Sequence, residues 1–178
     1  MTNELDVVKV LVNKTLVQGS AKGAEKLDAF SGWMLTAFGA MLAFLLGKIS
    51  DLSPYLAKAT LPGLVRLFLI ALVAGVLAKY AAMVVSVLGA STEAGESAVK
   101  SMGGNPVNVD SLMAEYDKTA WGLNAWAVRW VVRRMRVRDF TCTGRIANRI
   151  LQLQAVLSAC QSGVCLYAVW VLYRGLTI

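Results

Sequence analysis

Histidine is absent from this chain of 178 residues, and with it go the commonest general base and the commonest metal ligand. The three cysteines, Cys142, Cys160 and Cys165, form no CxxC pair and cannot all be bridged. Two of them lie inside an apolar stretch, where small packing residues are expected. The carboxylates cluster nowhere, and no phosphate-binding loop, dinucleotide fingerprint or nucleophile elbow is present. Catalysis, a metal and a cofactor are therefore not expected.

Three groups of residues retain chemical interest. Lys79 alone interrupts a run that is otherwise free of charge from Leu67 to Thr92. A lysine near the centre of a membrane span costs about 2.5–3.5 kcal/mol on insertion scales. Each Leu, Ile, Val or Phe of the same span returns roughly 0.3–0.6 kcal/mol, so insertion still wins. No expected span holds an acid to pair with Lys79. A central lysine would need water, backbone carbonyls or a partner's carboxylate, and would be a candidate site. A span shifted to Leu61–Ala78 would instead leave Lys79 and Tyr80 at the inner interface, with Arg66 snorkelling outward. The sequence leaves both open.

The second group is Gln161, which has Ser158 and Ser162 beside it and can hydrogen-bond a neighbouring helix. Gln152 and Gln154 are expected at the cytoplasmic mouth of the same span. The third group is an arginine cluster: Arg129, Arg133, Arg134, Arg136, Arg138, Arg145 and Arg149, with Asp139 the one acid among them. Its local charge of +6 accounts for nearly all of the net +7. Trp121, Trp126 and Trp130 lie just upstream, rings suited to headgroup level. The cluster reads as positive-inside anchoring on anionic lipid, at about 1 kcal/mol per charge near the surface. A docking site for an acidic protein is the alternative. Nucleic acid is not expected, since no recognition motif accompanies the charge.

The elements that must position these residues are helices in a membrane. Ala29–Gly47 and Ile150–Tyr173 carry no charge, and Leu67–Thr92 carries only Lys79. At about 1.5 Å per residue the first spans roughly 28 Å and the last roughly 36 Å, against a hydrocarbon core of about 30 Å. Hydrophobic residues make up 57% of the chain, and the mean hydropathy is +0.57. The expected fold class is an all-α integral membrane protein, with three transmembrane helices, an N-terminal amphipathic helix and a cytoplasmic amphipathic helix. The first 28 residues alternate charged and apolar types and lack the continuous apolar core of a secretory signal.

Four segments follow. Residues 1–28 form a cytoplasmic arm in which Leu5, Val8, Val12 and Leu16 mark an apolar face against Asp6, Lys9 and Asn13. That face is expected to pack on the protein's own cytoplasmic helices, or alternatively on the bilayer or a partner. Gly19 and Gly23 are expected to loosen the chain before the first span. Residues 29–92 form a two-span hairpin, with Pro62 in the first turn of its second helix. Residues 93–149 comprise a Gly- and Ser-rich linker, continuing from Ser91 to Pro106, and a basic amphipathic helix from Asn108 or Asp110 to about Arg138. Residues 150–178 form the third span and a short external tail.

Basic residues set the orientation. With the N-terminus inside, thirteen fall on the inner side and four on the outer, Lys79 being uncounted. The expected location is thus the cytoplasmic (inner) membrane, multi-pass, N-terminus in and C-terminus out. Small residues recur four apart in each span: Gly39, Ala43 and Gly47; Ala74, Ala78 and Ala82; Ala155, Ala159 and Gly163. Such residues let helix backbones approach closely, within one chain or between copies. Three helices enclose little, so a homo-oligomer or a subunit of a membrane complex is expected, in contact with membrane lipid. The leading functional expectation is a non-enzymatic multi-pass subunit or scaffold that docks cytoplasmic partners or anionic lipid through its arginines. The alternative is a homo-oligomeric channel or membrane-disrupting effector with Lys79 facing a lumen.

Overall fold

The computed structural model describes residues 2–57, 59–101, 139 and 141–176, together with Ser111, Ala114, Lys118, Arg129, Trp130, Arg133 and Arg134. Helix α1 runs Thr2–Gly47, the one-turn α2 Ile49–Leu52, α3 Thr60–Ser101 and α4 Cys142–Gly175, with a 3-10 turn at Ser53–Tyr55. At about 1.5 Å per residue the three long helices measure roughly 69, 63 and 51 Å, each more than the hydrocarbon thickness of about 30 Å. All three are apolar enough to cross a membrane. Among the described residues there is no strand, and an isolated bridge joins Leu56 to Leu176. Large apolar side chains stay exposed along the helices, as at Phe44 (65%), Val73 (61%) and Leu166 (66%). Lipid is the environment in which such surface carries no penalty.

Two expected interruptions are helix instead. Gly19 and Gly23 lie within α1 without a break. A glycine costs only about 1 kcal/mol in a helix interior, and Gly23 sits against Leu151. The stretch Ser91–Ser101, read from composition as linker, continues α3. Its hydroxyls bond back along the helix: Ser91 Oγ to the Val87 carbonyl, Thr92 Oγ1 to Leu88 and Ser97 Oγ to Glu93. Residues 102–106 of that linker, and most of the amphipathic helix from 108 to 138, lie outside the described residues.

The contacts divide the chain into two units. One comprises Met1–Ala21 with Val85–Arg149, the other Lys22–Val84 with Ile150–Ile178. In the first unit α1 and α3 run antiparallel. Lys14 Nζ meets Glu96 Oε2 at 2.6 Å, and seven residues on Ala21 lies against Gly89, where an added Cβ would come within 2.9 Å. Asn13 Oδ1 accepts from the Gly144 amide at 2.7 Å. A side chain of α1 thus satisfies one of the orphan N–H groups that open α4. The packed side of α1 here carries Asn13, Lys14, Leu16 and Val17, while Val8 and Val12 are exposed. The arm therefore packs through a face that includes Asn13, expected on its polar side, because its neighbours offer a helix end and a carboxylate.

In the second unit the buried positions recur every seven residues. They are Ala24, Ser31, Phe38 and Leu45 on α1, Leu64, Ala71 and Ala78 on α3, and Gln154, Gln161 and Ala168 on α4. Gly75 and Ala82, Ser158 and Cys165 fill the intervening places. This is the spacing of knobs-into-holes seams. Helices α1 and α4 are parallel, since Gln154 and Gln161 bond to Ala24 and Ser31. Helix α3 is antiparallel to α1, since Phe68 meets Gly39 and Lys79 meets Asp28. An apolar cluster of Phe38, Leu42, Leu45, Leu64, Ala71, Cys165 and Ala168 packs one part of this unit, with Phe38 and Phe68 edge to face at 5.4 Å.

The end of α4 is fastened to the start of α3. The Ala57 amide donates to the Gly175 carbonyl at 3.0 Å, and the Thr60 amide donates to Ala57. Pro62 falls in the first turn of α3, as its missing N–H allows. A Cβ on Gly175 would lie 2.2 Å from Thr60 Oγ1 and 2.6 Å from its Cγ2. Gly175→Ala is therefore expected to destabilise the protein by about 1–3 kcal/mol through overpacking. Gly163→Ala, which meets nothing within 4 Å, is expected to be neutral or stabilising by up to about 1 kcal/mol through helix propensity. Unfolding of both variants in detergent checks the pair.

Candidate functional site

The polar groups of the second unit lie along the facing sides of its helices. Gln161 is fully buried. It donates from Nε2 to the Ser31 carbonyl at 2.9 Å, and its Oε1 accepts from the Ser31 hydroxyl. One side chain of α4 thereby closes on both the backbone and the side chain of one residue of α1. Gly75 of α3 makes this possible: a Cβ there would lie 3.2 Å from Gln161 Oε1. Gln154, one heptad earlier, is equally buried and donates from Nε2 to the Ala24 carbonyl at 2.9 Å. It faces the seam between α1 and α4, a lateral position that is compatible with the place at the span's mouth that the sequence suggests.

Lys79 has a carboxylate partner. Its Nζ lies 2.9 Å from Asp28 Oδ1 and 3.1 Å from Oδ2. Asp28 immediately precedes the charge-free stretch of α1, so a search for acids within the spans passes over it. The lysine side chain is 55% exposed and the aspartate 34%. An exposed pair of this kind contributes about 0–1 kcal/mol in water. Its larger role is to spare a lysine from standing unpaired beside apolar residues.

The small residues named from spacing divide into two sets. Ala78 and Ala82 are buried, Ala74 and Ala155 partly so, and Gly39 lies against Phe68. Ala43, Gly47, Ala159 and Gly163 are exposed, and a Cβ added at Gly47 or Gly163 would meet nothing within 4 Å among the described residues. The four-residue count drifts off the seven-residue seam, which is why the stripes on α1 and α4 leave it.

Of the arginine cluster, Arg129, Arg133, Arg134, Arg145 and Arg149 are exposed, while Arg136 and Arg138 lie outside the described residues, as do Trp121 and Trp126. The Arg134 guanidinium stands over the Trp130 ring at 5.2 Å. Asp139 is engaged by Arg145 and by the Thr141 hydroxyl, and its carbonyl accepts from the Cys142 amide. The one acid of the cluster thus sits where α4 begins, where the helix dipole favours negative charge. At the far end of α4, Arg174 lies over Trp170 at 4.5 Å and Trp170 stacks on Tyr167. Among the described residues no group of His, Cys, Asp or Glu is arranged to hold a metal.

These features define a class: a protein all-helical among the described residues, with three helices of membrane-crossing length joined by side-chain amides and by the Lys14–Glu96 and Lys79–Asp28 ion pairs. Comparison of the chain with family models, with curated proteins and with solved structures finds no match.

The Gln161–Ser31 clamp is measurable. Gln161→Leu and Ser31→Ala are each expected to destabilise the protein, with a coupling of about 0.6–1.7 kcal/mol between them in a double-mutant cycle. Additive losses would mean that the two residues do not act together.

Proposed function

We propose that this chain is a non-enzymatic, multi-pass subunit or scaffold of the cytoplasmic membrane. On this reading the N-terminus is inside and the C-terminus outside, and partners or anionic lipid dock on the arginine-rich segment. The observation that carries the reading is how the polar groups are used. Lys79 is held by Asp28, and Gln154 and Gln161 hold α1, so the groups that could do chemistry in the apolar region are committed to fastening helices. The exposed faces offer apolar surface along the spans and arginines beside them. The same commitments weigh against a lumen lined by Lys79. The apolar cluster from Phe38 to Leu45 occupies the seam of the second unit beyond Ser31, so the polar groups among the described residues do not continue along it.

Exposed Ala43, Gly47, Ala159 and Gly163 suit close approach by another helix, which supports assembly with further copies or with another membrane protein. Exposed Val8, Leu11 and Val12 give the arm an apolar stripe for the bilayer or a partner.

The decisive experiment is the mass and composition of the complex extracted gently from its native membrane. A stoichiometric second protein supports the subunit reading. Multiples of 19.1 kDa that conduct ions in planar bilayers would replace it with the channel. Arg133→Gln, Arg134→Gln and Arg136→Gln together are expected to lower partner recovery, or binding to anionic vesicles, by about tenfold or more, at about 1 kcal/mol per charge. Lys79→Leu is expected to leave assembly intact and produce no change in membrane conductance.

A further inference from the structure

Two polar atoms in the seam are enclosed by protein and, among the described residues, have no hydrogen-bond partner: Gln154 Oε1 and Ser158 Oγ. Gln154 is 0% exposed and Ser158 3%. They lie four residues apart on α4, hence one above the other on the same face. Gln154 is oriented by its bond from Nε2 to the Ala24 carbonyl, which leaves Oε1 as an acceptor with nothing to accept. Ser158 also lacks the bond that several helical hydroxyls make along their own helix. Thr15, Thr36, Ser91, Thr92, Ser97 and Ser162 each donate to the carbonyl four residues back, and Ser158 does not.

We propose that Gln154 and Ser158 form an internal hydration site that takes one water molecule. The water donates to Gln154 Oε1 and accepts from the Ser158 hydroxyl. An enclosed acceptor and donor each lose free energy when left unmade, and a bridging water answers both. The surroundings are small. Ala24 lies across from Gln154, and the antiparallel register that pairs Lys79 with Asp28 brings buried Ala78 and Ala82 of α3 to this level. A water needs polar partners as well as room, and the parallel register that joins Gln154 to Ala24 and Gln161 to Ser31 brings Asp28, already engaged by Lys79, to the level of Ser158. Two neutral oxygens are too few for a hard cation, which takes six or more.

The test is a double-mutant cycle of Gln154→Met and Ser158→Ala, read by reversible unfolding of the purified chain in detergent. A shared water predicts that Ser158→Ala lowers the folding equilibrium constant by about fivefold or more in the parent and by less than about twofold beside Gln154→Met. The same loss in both backgrounds would overturn the proposal. An experimental structure that displays ordered waters gives a second reading, independent of how the variants fold. Density within hydrogen-bond distance of both atoms supports the site. A Ser158 hydroxyl turned onto the Gln154 carbonyl, with no density between the side chains, would also overturn it.

Discussion

An amide cannot be left unpaired in an apolar seam, and that requirement governs how the second unit is put together. In hydrocarbon, apolar side chains do not choose among neighbours, since lipid serves as well as leucine. A register set only by Leu64, Phe38 and Leu42 would slide by a turn at little cost. Gln161 removes that freedom, because its donor and its acceptor are both satisfied at Ser31 and not a turn away. Gln154 repeats the constraint one heptad earlier at Ala24. Polar residues at seam positions commonly trade stability for register in this way.

The ion pair applies the same logic to α3. Lys79 and Asp28 tie this helix to α1 in the antiparallel sense that the Phe68–Gly39 contact also requires. Glycine and alanine on α3 bring its backbone near enough for this to work. Gly75 is the clearest case, since any side chain there would push on Gln161. Helix α3 is the narrow member of the unit, and the amides of α4 occupy the room it leaves.

Much of this architecture was legible in the sequence. Apolar runs of the right length mark all three long helices, two of them charge-free and one interrupted only by Lys79, and that lysine and Gln161 stand out by contrast with their surroundings. What could not be read was pairing. Asp28 sits one residue outside an apolar run and Ser31 looks like any small residue, and nothing local says that either faces Lys79 or Gln161. The burial of Gln154 is unreadable for a related reason: distance along the run speaks to depth in a span, whereas burial depends on which face α1 covers. The small-residue stripes leave the seam at Ala43, Gly47, Ala159 and Gly163, because a count of four does not follow a period of three and a half, and whether those exposed residues meet another chain is not legible in one sequence. Polar composition misled at Ser91–Ser101, where hydroxyls that bond back to their own helix let a serine-rich stretch stay helical.

The parallel pairing of α1 with α4 also has a consequence in time. Each bond between them joins residues about 130 positions apart in the chain. At roughly 5–20 residues per second of synthesis, Ser31 and Ala24 exist for on the order of ten seconds before the glutamines that bind them are made. During that interval α3, which is made sooner, is available to pair with α1, and α4 is not. The α1–α3 hairpin is thus the template, and the last helix is received into a groove whose partners have been waiting for it.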